Sequence, residues 1–170
     1  LAAAFIQRWT EQNEGGKVRV RDVAKDQPPH LDQTTIGAFY TPAENRSAEQ
    51  KLALAYSDTL VEELRDSDVI VIAAPMHNFG SPSTLKAWFD QVARVGETFR
   101  YTENGPVGLL KDKKVYVLTA RGGNYSEGSP AAHLDMQEPY MRTVLGFIGM
   151  TDVTFIHSHG MAGSGEAKDA

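Results

Sequence analysis

One stretch of the chain, residues 69–96, constrains the fold more than any other. Residues 69–73 form an unbroken, mostly β-branched apolar run, Val-Ile-Val-Ile-Ala, which is typical of a strand covered on both faces in a parallel sheet. Apolar side chains then recur at helical spacing, at Leu85, Trp88, Phe89 and Val92. A central strand followed by a helix is therefore predicted, with Ser81 as the helix cap, Pro82 at its first position and Gly96 just past its end.

Composition narrows the class of protein. The 170 residues suit one domain, residues 1–170. The absence of cysteine excludes disulfides, thiolate metal sites and a cysteine nucleophile, and favours a reducing, cytoplasmic setting. A net charge of -5 with scattered basic residues offers no stripe for phosphates, so no nucleic-acid partner is expected. No apolar run approaches the ~20 residues of a membrane span, so no membrane partner is expected.

Strands and helices alternate along the chain. Strands are predicted at residues 18–23, 69–73, 115–119 and 153–157. Strict alternation in the first of these indicates an edge strand. Helices are predicted at the start of the chain, from a capping box at Thr41 until residues 66–68 end it, after Pro82, and over residues 130–148, whereas residues 27–40 and 99–108 are interpreted as loops. This order favours right-handed parallel crossovers in an α/β three-layer sandwich.

Two loops are the best candidates for a binding site. Residues 75–80 follow the strand at 69–73, and the glycine-containing residues 120–124 follow the strand at 115–119. These two strands look the most buried, so we expect them to be adjacent. Ligands of open α/β sheets bind at the carboxyl ends of the strands. Both loops should therefore open on the same edge, where they could clasp one planar ligand.

The residue types in these loops favour binding over hydrolysis. Neither loop offers a nucleophile with a base or a carboxylate pair. They do offer backbone amides, the Asn78 side chain and the Phe79 ring, and Gly122 and Gly123 permit close backbone approach. Such groups suit a flat heterocycle with polar edges, such as a flavin. The alternative interpretation is a pair of tight turns.

Three histidines leave alternatives open. His77 lies in the first loop, either beside the ligand, where it would influence proton supply, or as an exposed or structural residue. His157 and His159 fall on the same side of a strand, which raises the question of a metal site. Because neither a carboxylate nor a third histidine follows at ligand spacing, no metal is predicted there.

Four separated motifs carry a resemblance to a known family. They are Ala-Pro-Met-His-Asn-Phe-Gly with the helix Leu-Lys-Ala-Trp-Phe-Asp, then Thr-Phe-Arg-Tyr-Thr-Glu-Asn-Gly-Pro from residue 98, Thr-Ala-Arg-Gly-Gly from residue 119, and Leu-Gly-Phe-Ile-Gly-Met-Thr-Asp from residue 145. In this order they closely resemble the FMN-dependent NADH-azoreductases of bacteria, which belong to the flavodoxin-like quinone reductase group. The resemblance covers nearly the whole chain.

The resemblance implies a flavodoxin-like parallel sheet of order 2-1-3-4-5, noncovalently bound FMN, NADH or NADPH as co-substrate, and a homodimer with its active sites at the interface. It assigns the flavin ring to Met76, His77, Asn78, Phe79, Ala120, Arg121, Gly122 and Gly123. It also places Tyr101 and Phe147 in the substrate cleft, unless they are core or interface residues. No catalytic side chain is implied, because FMN carries the chemistry.

The chain departs from the family at two points. His77 stands where relatives often have Tyr or Trp, which affects stacking at that position. The family's first strand and its Ser-rich phosphate loop have no counterpart in these residues. That strand is the middle of the sheet, so the sequence is expected to lack an N-terminal piece of the natural protein. The absence of a closing helix suggests the same at the other end.

The expected activity is a two-step ping-pong reaction, in which NAD(P)H reduces FMN and a quinone or azo compound then takes the electrons in the same cleft. Reductive cleavage of an azo bond to aromatic amines would need two such rounds.

One alternative is a flavodoxin-type electron carrier that serves a protein partner, although such carriers usually have an acidic docking face. Another is a scaffold that has lost its flavin, against which the two intact loops argue.

Overall fold

A computed structural model describes residues 1–162 of the chain. The elements are α1 (Ala2–Gln12), α2 (Gln33–Tyr40), α3 (Ala48–Arg65), β1 (Val69–Pro75), α4 (Ser83–Val92), β2 (Phe99–Thr102), β3 (Gly105–Gly108), β4 (Lys114–Ala120), α5 (Gln137–Phe147) and β5 (Asp152–Ser158). Short 3-10 turns occupy Ala43–Asn45 and Ala132–Leu134. No helix in this part of the chain has the length and apolarity needed to cross a membrane.

Three parallel strands form the main sheet, in the order β1-β4-β5. Their apolar side chains pack against α3, α4 and α5 in one core that includes Val117, Phe89 and Leu145. On α1, the Phe5 ring lies with its centroid 5.1 Å from that of Tyr116 on β4. Because β1 and β4 are neighbours in this sheet, the predicted adjacency of the strands at residues 69–73 and 115–119 is confirmed.

The strand predicted at residues 18–23 is wrong, because this segment forms no strand and pairs with none among residues 1–162. Alternation of apolar and polar residues favours an extended chain, but a strand also needs a neighbour to share its hydrogen bonds. Val20 is 73% exposed, and Arg21 holds the segment to Glu63 on α3. With no strand beside it, β1 is an edge of the described sheet, not its centre.

Two predicted helix starts are also wrong. A capping box formed by Ser47 and Gln50 starts α3 at Ala48, so the helix does not begin after Thr41. The last long helix begins at Gln137 rather than at residue 130. In both cases the residues before the helix form a separate 3-10 turn. At α3, local capping chemistry therefore decided the boundary more than apolar spacing did.

Three further differences concern loops and caps. The predicted surface loop at 27–40 contains α2, which Asp32 caps by accepting from the Thr35 amide at 2.7 Å. The predicted loop at 99–108 is the antiparallel hairpin of β2 and β3. Ser81 does not cap α4, whose N-cap is Pro82. The predicted absence of a closing helix falls on residues 163–170, which lie outside the described residues.

Candidate functional site

The two predicted loops meet at the carboxyl ends of β1 and β4. Pro75 and Ala120 are register partners at the ends of these strands. Just beyond them, the Met76 amide donates to the Ala120 carbonyl at 2.8 Å. The prediction that both loops open on one edge of the sheet is therefore confirmed.

The first loop is a tight hairpin over residues 76–80. The backbones of His77 and Gly80 exchange two hydrogen bonds of 2.9 and 3.0 Å. Between them, Asn78 and Phe79 have φ values of 48° and 70°, the left-handed conformations of a type I′ turn. A bulky residue in that conformation costs about 1 kcal/mol or more. Such strain concentrates at functional sites because the surrounding structure must maintain it.

The hairpin presents its tip to the outside. The Phe79 ring is 45% exposed, and the side chains of His77 and Asn78 are exposed as well. Within residues 1–162, the amides of Asn78 and Phe79 have no acceptor. The tip thus offers an apolar ring, a side-chain amide and free backbone donors in one place.

The second loop, which we call the glycine loop, comprises residues 120–124 and runs beside the chain that follows β5. The Arg121 amide donates to Ser158 at 2.8 Å, and the Arg121 carbonyl accepts from Met161 at 2.9 Å. The amides of Gly122 and Gly123 find no acceptor in the described part of the chain. Successive free amides of this kind bind anionic or carbonyl oxygens.

The comparisons identify the family. A family model described as "Flavodoxin-like fold" matches residues 1–170. This chain belongs to that flavodoxin-like family. The two loops of the candidate site lie at the carboxyl ends of parallel strands, where open α/β sheets bind their ligands.

Within this flavodoxin-like family the chain is similar to proteins with named activities. It is 54% identical over 170 residues to "FMN-dependent NADH:quinone oxidoreductase 6" of Burkholderia lata, covering 100% of this chain and 84% of that protein. It is 56% identical over 162 residues to "FMN-dependent NADH:quinone oxidoreductase" of Herminiimonas arsenicoxydans, covering 95% and 79%. A solved azoreductase of Bacillus anthracis superposes with a TM-score of 0.86 at 32% identity, covering 94% of this chain and 77% of that one.

Arg121 contributes to the site differently from its neighbours in the glycine loop. Its side chain is only 1% exposed, and its Nη1 lies 2.7 Å from Asp135 Oδ2. Its Nε and Nη2 atoms are buried and have no partner in residues 1–162. The guanidinium therefore points into the protein, and the residue as a whole is buried.

A half-buried histidine, His157, is linked to the strand end that leads into the glycine loop. His157 Nδ1 lies 2.7 Å from Thr119 Oγ1, and its Nε2 lies 2.7 Å from Glu138 Oε2. Burial and the positive charge of Arg121 lower the pKa of His157, although Glu138 acts in the opposite direction. Both ring nitrogens of His157 thus have partners within the protein. The sequence carried no signal for this network.

The two residues assigned to a substrate cleft are brought together through a third aromatic ring. Phe99 lies 5.5 Å from Tyr101 and 4.4 Å from Phe147, measured between ring centroids. Tyr101 is 63% exposed on the β2–β3 hairpin, whereas Phe147 is half-buried on α5. Phe99 was not among the predicted site residues.

An open groove follows the free edge of β1. It encloses about 1530 Å³ between β1, α1 and residues 13–24, and it reaches His77 and Pro82 beyond the carboxyl end of β1. In this member of the flavodoxin-like family, the groove connects the unpaired strand edge with the hairpin of the candidate site.

Proposed function

We propose that this protein is an FMN-dependent oxidoreductase that passes electrons from NADH to quinones and to azo compounds. One observation carries the proposal. The chain is 54% identical to a protein named as an FMN-dependent NADH:quinone oxidoreductase. Its own two loops support this, because they meet at one edge of the sheet and carry free backbone donors. The similarity to solved azoreductases extends the substrates to azo compounds.

The residues present fit a flavin ring. The exposed Phe79 ring offers an apolar face, and the amides of Asn78, Phe79, Gly122 and Gly123 are free to donate to polar ring edges. Met76 and Ala120 hold the two loops together, and the Asn78 side chain adds a polar contact. These are the residues that would hold FMN, together with His77. Arg121 would act by supporting the glycine loop, because the residue is buried and its amide and carbonyl pair with Ser158 and Met161.

When bound, FMN supplies a centre that accepts hydride from NADH and releases electrons to an acceptor. The protein's own task is to bind, orient and polarise. Backbone amides fixed by the hairpin and the glycine loop need no rearrangement as negative charge develops, which makes them effective stabilisers. His77 is exposed at the tip, so a proton reaches the site from solvent or through this imidazole. No catalytic side chain is proposed.

The test is direct. The natural full-length protein should be yellow and should oxidise NADH in the presence of a small quinone or an azo dye. A colourless protein that gains no FMN absorbance on reconstitution would contradict the proposal. An FMN-loaded protein that oxidises NADH only when a partner reductase is added would instead be an electron carrier.

We also infer that a parallel β-strand from the protein's own N-terminal side, ahead of Leu1, pairs with β1 in the groove. The free edge of β1 leaves a row of backbone donors and acceptors unpaired, although its sequence is apolar on both faces. The contact of Phe5 with Tyr116 places α1 against the same sheet. A strand and Ser-rich loop added ahead of Leu1 should tighten FMN binding and make unfolding cooperative. Equal, tight FMN affinity with and without them would contradict this inference.

We propose further that two copies form a homodimer in the cytoplasm. The family resemblance and the exposed Tyr101 ring support the dimer, and the cysteine-free sequence suits a reducing compartment. Sedimentation analysis should give twice the monomer mass, and Tyr101→Asp should shift it toward the monomer. A monomer at every concentration tested would contradict the dimer, and export of the natural protein would contradict the location.

A further inference from the structure

The segment at the start of α5, residues 135–138, contacts both loops of the candidate site. The Asp135 carboxylate pairs with the buried Arg121 guanidinium of the glycine loop, at 2.7 Å. The next residue, Met136, donates its backbone amide to the Phe79 carbonyl at the tip of the hairpin, at 3.0 Å. Two successive residues therefore hold one loop each.

The following two residues extend these contacts to the strand ends. The Gln137 side chain donates from Nε2 to the carbonyls of Ala74 and Pro75, both at 3.2 Å, where β1 ends. Glu138 pairs with His157 of β5 at 2.7 Å. Four consecutive residues thus reach the ends of β1 and β5, the hairpin and the glycine loop.

The segment is itself held firmly. The second oxygen of Asp135, Oδ1, accepts from the amides of Gln137 and Glu138 at 3.0 and 3.1 Å, which fixes the carboxylate to the first turn of α5. Gln137 is fully buried, and Arg121 is nearly so. A buried ion pair with fixed geometry confines its partners more than an exposed pair does. A displacement of α5 would therefore be transmitted to both loops.

We propose that residues 135–138 are positioning residues that set the distance and orientation between the hairpin and the glycine loop, and thereby the binding of the flavin ring. The flavin part of this inference rests on the proposed function. The positioning part concerns the protein alone, because it predicts a coupling between the start of α5 and the two loops in the absence of any ligand.

Met136 provides the sharpest variant. Its side chain is 58% exposed, so Met136→Ala removes little packing and keeps the amide. Met136→Pro removes the amide donor to Phe79. The preceding residue, at ψ of 96°, is extended as proline prefers, and the φ of -98° at Met136 must shift toward about -65°. Asp135→Asn, as a second variant, removes the charge partner of Arg121. Ser57→Ala is the control for general destabilisation, because it deletes a buried hydrogen bond to the Gln91 carbonyl.

Two measurements are made on each full-length variant. The first is amide hydrogen exchange without FMN, at His77 and Gly80 in the hairpin and at Arg121 in the glycine loop. Met136→Pro should speed exchange in the hairpin, and Asp135→Asn should speed it at Arg121. The second is FMN affinity by flavin fluorescence, where Met136→Pro and Asp135→Asn should each weaken binding about fivefold to tenfold, the equivalent of one hydrogen bond. Met136→Ala and Ser57→Ala should leave FMN affinity unchanged.

The outcomes separate the two ideas. Equal hairpin exchange in Met136→Pro and Met136→Ala would overturn the positioning role of Met136. FMN binding in Asp135→Asn and Met136→Pro no weaker than in Ser57→Ala would overturn the role of the segment in flavin binding. If the unsubstituted protein binds no FMN, the proposed function fails and takes the flavin part with it, while the exchange data still decide the coupling.

Discussion

The backbones of Gly108 and Gly149 touch. A Cβ added to Gly108 would lie 2.1 Å from the Gly149 nitrogen and 2.4 Å from its Cα, with no flexible side chain to move aside. This contact joins the end of β3 to the turn between α5 and β5. The hairpin that carries Tyr101 is therefore held to α5 by a contact that only two glycines allow.

Gly108→Ala should lower the free energy of unfolding by about 3 kcal/mol, because backbone must separate from backbone. Gly146→Ala is the matched control, since a Cβ there meets nothing within 4 Å and the residue lies in α5. That variant should raise stability by about 0.5 kcal/mol, the benefit of alanine over glycine in a helix. Chemical denaturation measures both, and equal effects of the two substitutions would disprove the close contact.

Phe79→Gly and Phe79→Ala separate the ring from the backbone strain. Both remove the ring and its edge contact with Tyr125, at 6.4 Å between centroids. Only glycine adopts the φ of 70° without cost. The glycine variant should therefore be about 1 kcal/mol more stable than the alanine variant. Both should bind FMN more weakly. An alanine variant as stable as the glycine variant would show that the turn is not strained.

Asn78→Ala tests the polar group at the hairpin tip. Asparagine tolerates the φ of 48° better than alanine, so stability should fall by about 1 kcal/mol. FMN affinity should fall about fivefold through loss of one side-chain hydrogen bond. Asn104→Ala, in the exposed turn between β2 and β3, is the control and should change neither quantity by a comparable amount. Fluorescence titration and denaturation would reveal the difference.

The free energy of unfolding should depend on pH through His157. Burial and the charge of Arg121 lower its pKa below the usual value of about 6.5. Below that pH the unfolded chain binds more protons than the folded protein, so the free energy of unfolding falls as pH drops, until it levels off at the folded-state pKa. At pH values above the usual histidine pKa of about 6.5, this contribution to the free energy of unfolding is fully present. The groups facing this imidazole are Glu138, Arg121 and His159.

His157→Gln cannot titrate, so its stability should fall less than that of the unsubstituted protein between about pH 7.5 and 5.5. His133→Gln, at an exposed position, should retain the original dependence. Denaturant titrations at the two pH values measure the effect. A His157→Gln profile parallel to that of the unsubstituted protein would contradict the lowered pKa.

Much of the site could be predicted because its signals are local. An unbroken β-branched run and a helical repeat located β1 and α4, and the two loops followed from where the strands end. The loop residues themselves, with the family resemblance, indicated a flavin.

The predictions that proved wrong also have physical causes. Residues 18–23 alternate like a strand, yet pairing depends on a neighbour that alternation cannot specify. In α2 the cap at Asp32 mattered more than the weak apolar period.

By itself, then, the sequence determined the order of the main elements, the family and the two loops that meet at the edge of the sheet. Only the tertiary structure decided what supports those loops. Asp135 and Arg121 are 14 residues apart in the chain, and Gln137 reaches a carbonyl 63 residues away. The tertiary structure also turned the Arg121 guanidinium inward and placed His157 between Thr119 and Glu138. Such partners are chosen by distances in the folded chain, and residue spacing carries no record of them.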